Sequence, residues 1–74
     1  MKDIEARLEI GMAATVEAAR LEKDAWGRVR IYTNQNKSPI LPIRQLVEER
    51  YLYWQREEEL RRKALKAWRE HNEG

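Results

Sequence analysis

Residues 42–71 read PIRQLVEERYLYWQREEELRRKALKAWREH, and this stretch decides the fold. It is rich in Leu, Ala, Glu, Arg and Lys, which favour helices, and after Pro42 it contains neither Gly nor Pro. Pro42 suits a first helical turn, where a missing N–H is not needed. Three glutamates precede a base by four residues, a stabilising order: Glu57 before Arg61, Glu58 before Arg62, and Glu59 before Lys63. The stretch therefore predicts one helix of about 45 Å over 42–71.

The size of the chain makes so long a helix informative. A compact chain of 74 residues is only about 30 Å across, so the helix is expected to extend beyond the protomer core. Cysteine is absent and no Cys/His spacing suits zinc, which leaves dimerisation as the common way to stabilise so small a core. We therefore expect a homodimer, joined by its long helices, by a strand, or by both.

The composition is that of a helical protein. Ala, Glu, Lys, Leu and Arg make up 41 of the 74 residues, more than the half that is typical of long helices. The net charge of +2 is only mildly basic, below what a nucleic-acid-binding tail carries. No apolar run is long enough to span a membrane, and the first residues do not resemble a signal peptide. We expect a cytoplasmic location and no membrane partner.

A first helix is predicted over residues 3–25. One of its faces repeats at steps of three or four residues and consists of Ile4, Leu8, Met12, Thr15 or Val16, and Ala19. A second face beside it has smaller side chains and consists of Ile10, Ala14, Ala18, Leu21 and Ala25. Two apolar faces indicate a helix that packs on two neighbours. The helix is expected to end at Gly27, since glycine commonly follows a helix C-terminus.

The segment 28–33, RVRIYT, is predicted to be a β-strand because it alternates and is rich in β-branched residues. Its partner is either a short return strand at 39–41 or the same strand of a second copy. The expected fold class is thus mainly α with a minor β part, in a single domain over 1–74: helix, strand or hairpin, and long helix. This order is similar, as architecture alone, to that of small phage head–tail joining proteins.

The long helix carries two apolar clusters, 43–54 and 60–68, and two neighbouring stripes at alternating steps of three and four. One stripe is Ile43, Leu46, Arg50, Tyr53, Glu57, Leu60, Ala64 and Ala67. The other is Val47, Tyr51, Trp54, Leu65 and Trp68, and it passes through Glu58 and Arg61 between Trp54 and Leu65. The first cluster is expected to pack on the first helix and the second to meet a partner. Aromatic and arginine side chains dominate protein interfaces, so the predicted partner-binding residues are Tyr53, Trp54, Arg61, Leu65 and Trp68.

Catalytic chemistry is not predicted. One His, one Ser and no Cys leave no nucleophile and base to pair, and the glutamates at 57–59 have basic partners. We therefore expect no enzyme activity, no cofactor and no metal site.

Nucleic-acid binding is the main alternative to protein binding. On one face of a strand, Arg28 and Arg30 would stand about 7 Å apart, and a two-fold ribbon would double them. Arginine and amide side chains on such a ribbon can read bases in the major groove. The candidate residues are Arg28, Arg30, Asn34, Asn36 and Lys37. The same arginines could instead form salt bridges or protect an exposed strand edge.

Three functions follow from these features. The first is a non-enzymatic protein-interaction module, a small regulator or inhibitor of the bacterial or phage accessory type, which binds a larger protein through its helices. The second is a dimeric DNA-binding transcriptional regulator that uses Arg28 and Arg30. The third is a structural subunit of a larger assembly. Binding to DNA predicts an affinity that falls steeply with salt, whereas protein docking predicts weak salt dependence and loss on Trp68→Ala.

Overall fold

The computed structural model describes residues 2–36 and 40–73, without the side chain of Asn36. It contains two helices, α1 (Lys2–Asn36) and α2 (Leu41–Glu73). Glu9 forms an ion pair with Arg69, and Arg30 forms one with Glu48, so the two helices are antiparallel. The result is a helical hairpin with extents of 54 × 16 × 15 Å. The prediction of a mainly α protein with a long second helix is confirmed.

The predicted β-strand is wrong. Residues 28–33 continue α1 without a break, and the predicted helix over 3–25 extends to Asn36. The return strand at 39–41 does not form within the described part, since Leu41 already belongs to α2 and Ile40 precedes it. Pro39 lies outside the described residues. With the hairpin gone, the architectural similarity to head–tail joining proteins loses its basis.

Packing against α2 explains why 28–33 is helical. Strand propensity depends on context, and tertiary contacts commonly override it. As part of a helix, this segment places Arg30 against α2, where its guanidinium lies 4.9 Å from the centre of the Tyr51 ring and pairs with Glu48. It also buries Thr33, whose hydroxyl donates to the carbonyl of Arg30. An isolated strand would make none of these contacts.

Gly27 does not end α1; it allows the helices to approach each other. A Cβ at this position would lie 3.3 Å from Cε1 of Tyr51, which is tighter than an ordinary contact. The glycine therefore makes room for the tyrosine ring beside the α1 backbone. The prediction that Gly27 ends the first helix is therefore wrong.

The start of α2 agrees with the prediction from Pro42. The carbonyl of Ile40 accepts hydrogen bonds from the amides of Ile43, at 3.0 Å, and Arg44, at 3.3 Å. Pro42 lies in this first turn, where its missing N–H removes no helical hydrogen bond. At the other end, the side-chain amide of Asn72 donates to the carbonyl of Trp68 at 2.8 Å.

The long helix was expected to extend beyond a compact protomer core, and it does not. α1 has 35 residues and α2 has 33, so the two run side by side along nearly their whole length. The radius of gyration is 16.7 Å, well above the roughly 11 Å of a compact chain of this size. Two helices alone cannot surround a core. Among the described residues, the buried apolar side chains are Val16, Ala19, Val47 and Leu65.

Candidate protein-interaction surface

The contact between the helices follows a heptad pattern, which we call the seam. In α1 the seam positions step by three and four: Glu9, Met12, Val16, Ala19, Lys23, Trp26, Arg30 and Thr33. In α2 they step in the same way: Arg44, Val47, Tyr51, Trp54, Glu58, Arg61, Leu65 and Trp68. All of these residues are buried or half-buried. Such spacing keeps one side of each helix against its neighbour over many turns.

An ion-pair network occupies the middle of the seam. Glu58 is only 7% exposed and accepts hydrogen bonds from Nζ of Lys23, at 2.8 Å, and from Nε and Nη2 of Arg62. The hydrogen bond from Lys23, followed by that from Arg62, holds the pKa of Glu58 below its ordinary value. The same contact with Glu58 raises the pKa of Lys23. This charge pair between the helices favours one register, because a shifted alignment would separate Lys23 from Glu58.

A second polar cluster surrounds Arg61. Its guanidinium lies 5.5 Å from the centre of the Trp54 ring and donates to Oε1 of Glu57 and to the backbone carbonyl of Thr15. The arginine therefore stacks on α2 and ties it to α1. Its donors are used within the hairpin, which makes it a structural residue here.

The sides of the hairpin follow from helix geometry. Seen from one end, antiparallel helices turn in opposite senses, so the residues that come one position before the seam in both helices project to the same side of the pair. Residues one position after the seam project to the opposite side. Arg61 agrees with this assignment, since it contacts both Thr15 and Glu57, which precede seam positions 16 and 58.

One side of the hairpin is an extended apolar surface, which we call the apolar face. Its large members, each between 41% and 67% exposed, are Ile4, Leu8, Val29, Tyr32, Ile43, Leu46, Tyr53 and Leu60. Its small members are Gly11, Thr15, Ala18, Ala25, Ala64 and Ala67. The charged or polar residues that interrupt it are Glu22, Arg50, Glu57 and His71. A soluble monomer rarely exposes a contiguous apolar surface of this length without using it.

The opposite side, which we call the charged face, carries residues of both signs. Its ionisable members are Glu17, Arg20, Asp24, Glu48, Glu59, Arg62, Lys66, Arg69 and Glu73. Arg20 pairs with both Glu17 and Asp24 along α1, and its hydrogen bond lowers the pKa of Glu17. Exposed pairs of this kind contribute little to stability. This face also exposes three large apolar side chains, Ile10, Ile31 and Leu52, against eight on the apolar face.

The predicted partner-binding residues lie in two different places. Trp54, Arg61, Leu65 and Trp68 are seam residues that contact α1 from within the hairpin. Tyr53 lies on the apolar face, 52% exposed, with its ring edge-on to that of Trp54 at 5.1 Å. The structure therefore does not bring the five together as one open surface.

The predicted nucleic-acid residues are also separated. Arg28 and Arg30 are two residues apart on a helix, about 200° around its axis, so they do not share a face. Arg30 is engaged by Glu48 and Tyr51, while Arg28 and Asn34 are exposed. Lys37 and the side chain of Asn36 lie outside the described residues. The β-ribbon that would have doubled these groups does not form.

The sequence contained part of the signal for the apolar face. The stripe from Ile43 to Ala67 was recognised in α2, but α2 has two heptad stripes and spacing does not tell which one contacts α1. In α1 the corresponding stripe was missed because the helix was ended at Ala25, which removed Val29 and Tyr32 from it. An uninterrupted helix to residue 36 would have shown the repeat.

Comparison of the chain with known proteins found no matching family model, no matching curated protein and no matching solved structure. Within residues 2–36 and 40–73, no group of three or more His, Asp or Glu side chains is placed to hold a metal ion. In the same ranges neither helix is long and apolar enough to cross a membrane.

Proposed function

We propose that this protein is a non-enzymatic protein-interaction module that binds another polypeptide through its apolar face. One observation carries the proposal: eight large apolar side chains stand exposed along one side of the hairpin, whereas the other side exposes three among nine ionisable residues. Covering such a surface supplies the driving force for association, at about 25 cal/mol per Å² of apolar area removed from water. A small regulator or inhibitor that acts on a larger protein is the use we propose for this module.

The partner surface follows from the shape of the face. Two parallel ridges of side chains, one from each helix, leave a groove between them, and ridges of this kind pack against helices. An amphipathic helix or helix pair is thus the complementary surface. We propose cytoplasmic partners of that type.

Two matched variants test this proposal. Leu60 lies on the apolar face and Leu52 on the charged face of the same helix, and both are 49% exposed. The tagged protein is used to capture partners, a captured protein is purified, and its affinity is measured by calorimetry at 50 and 500 mM salt. Leu60→Lys is expected to weaken binding by about 30-fold or more, whereas Leu52→Lys leaves it unchanged.

Two results would contradict the proposal. Equal affinities for the two lysine variants would show that the apolar face is not the binding surface. An affinity that falls steeply with salt and is lost on Arg28→Ala would instead favour nucleic-acid binding.

A further inference from the structure

We infer that the surface that covers the apolar face is the apolar face of a second copy, packed so that the two connections between helices lie at opposite ends. The product is a four-helix bundle with a two-fold axis across its middle. This inference rests on the proposed function, because both use the same face, and it names the partner.

The area of the face is sufficient for a stable dimer. With a length of 54 Å and a width of 16 Å, the hairpin presents a footprint of about 860 Å². Stable interfaces of standard size bury roughly 800 Å² on each partner. A second hairpin of the same length covers this whole footprint, whereas a single foreign helix would leave one ridge uncovered.

Side-chain size differs between the two halves of the face. Large residues lie in the half near the connection: Val29, Tyr32, Ile43, Leu46 and Tyr53. Small residues follow in the half near the termini: Gly11, Thr15, Ala64 and Ala67. The exceptions are Ala25 in the first half and, in the half near the termini, the large residues Leu60, Leu8 and Ile4. If the half near the connection packed on its own copy, large side chains would meet large ones and would not fill space well. Packing it on the half near the termini brings some large side chains against small ones.

The two-fold arrangement pairs two of the large side chains with small ones, whereas Tyr32 lies opposite Leu8 of the second copy. The contacts Arg30 with Glu48 and Glu9 with Arg69 fix the register within a hairpin. With the axis at the hairpin midpoint, Val29 lies opposite Gly11 of the second copy, and Tyr53 opposite Ala64. Gly11 suits this role, since a Cβ there would meet nothing within 4 Å in the single hairpin. Its absent side chain leaves space on the outer surface.

Charge favours the same arrangement. Glu22 and Glu57 lie at one level of the hairpin, opposite each other across the groove. With both connections at the same end, this level would face itself and gather four carboxylates, and like charges in contact are unfavourable. With the connections at opposite ends, Glu22 faces Ala18 and Glu57 faces Leu60 of the second copy. The two glutamate levels are then separated by about 6 Å along the bundle.

Sedimentation equilibrium tests the self-association. The wild-type chain is expected to be a dimer at micromolar concentration at both 50 and 500 mM salt, because the contact is apolar. Leu60→Lys is expected to raise the dissociation constant by about 100-fold, since each substitution acts twice in a two-fold dimer. Leu52→Lys is the matched control and leaves it unchanged. Circular dichroism verifies that both variants stay helical.

Disulfide trapping tests the relative orientation of the two copies. The chain has no native cysteine, so only the introduced thiols can react. Residues 15 and 25 are too far apart in one helix to bond to each other, but each faces the other across the two-fold axis. The double variant Thr15→Cys with Ala25→Cys is therefore expected to form a covalent dimer on oxidation. A mixture of the single variants Ala25→Cys and Tyr53→Cys is expected to give no such product, because those thiols meet only when both connections lie at the same end.

The outcomes separate this inference from the proposed function. A monomer at 100 µM overturns the second copy as partner, and the proposed function stands if Leu60→Lys still loses a captured partner. A dimer that Leu60→Lys leaves intact overturns this inference alone, because such a dimer is joined through another surface, and the captured partner then decides the proposed function. Assembly beyond a dimer overturns the closed bundle, and cross-linking only in the mixture of single variants overturns the opposed orientation.

Discussion

At the scale of single residues, polar side chains within the seam decide the alignment of the helices. Lys23 and Glu58 occupy positions where a heptad seam usually carries apolar residues, and Arg62 completes the network around Glu58. Replacing such a pair by apolar residues is often neutral or stabilising, so its value lies in fixing one register. We expect Lys23→Leu with Glu58→Leu to fold, but with a less specific alignment.

The network makes stability depend on pH in a defined direction. The pKa of Glu58 is lowered in the folded state, by Lys23 first and then by Arg62. Its contribution is therefore complete above the ordinary carboxyl value of 4.5 and is lost as the pH falls through the lower, folded value. The raised pKa of Lys23 acts at high pH. Its contribution to stability is complete below the ordinary lysine value of 10.5 and is lost as the pH rises through the higher, folded value.

Glu58→Gln tests this dependence. At pH 7 the variant is expected to be less stable by about 1–2 kcal/mol, because charge-assisted hydrogen bonds are replaced by neutral ones. Between pH 7 and pH 3 it is expected to lose less stability than the wild type. Urea unfolding at fixed protein concentration measures both effects, with the exposed Glu59→Gln as control. Equal acid sensitivity of Glu58→Gln and the wild type would show that the network does not control acid stability.

At the scale of elements, the described start of α2 has no residue that can cap it with a side chain. Ile40 stands at the N-cap position, its side chain is 65% exposed and offers no acceptor, and the first turn of α2 has no acidic residue. α1 differs, since Asp3 and Glu5 lie in its first turn, where negative charge is favourable. The start of α2 is therefore a place where the hairpin can be stabilised.

Ile40→Asp is expected to stabilise the hairpin by about 1 kcal/mol relative to Ile40→Ala, because a carboxylate at a helix start is favoured by the helix dipole. The carboxylate can also take over the amide of Ile43, which leaves the carbonyl of residue 40 to the amide of Arg44. The alanine variant is the reference, since it removes the same exposed side chain without adding a cap. Urea unfolding gives the difference, and hydrogen exchange at Ile43 localises it. No difference between the two variants would mean that the backbone amides at the start of α2 already have hydrogen-bond partners.

At the scale of the whole molecule, the proposed self-association and the proposed binding to a foreign protein compete for the same apolar face. A dimer locked through Thr15→Cys and Ala25→Cys is therefore expected to lose binding to a captured partner and to regain it on reduction. The measurement is calorimetry with the purified partner, with and without reductant. The reduced double variant controls for the substitutions themselves. A locked dimer that binds with unchanged affinity would place the partner on the charged face.

How much of the site could be predicted varied along the chain. Both stripes of α2 were visible in the sequence, since their residues recur at heptad spacing. The sequence did not show which stripe faces inward. Both stripes mix apolar and charged residues, so composition does not tell which one the neighbouring helix covers. Trp54 and Trp68 were thus predicted as partner-binding residues, whereas the structure places both in the seam.

The sequence by itself determined that the chain is mainly helical and that α2 is long, because propensity, Pro42 and spaced ion pairs are local properties. Only the tertiary structure decided that 28–33 is helical and that Gly27 lies inside α1. Those six residues have local strand preferences, which the contacts of Arg30 with α2 and the burial of Thr33 outweigh. The apolar face is likewise a tertiary property, since it joins residues of two helices that only the antiparallel register places side by side.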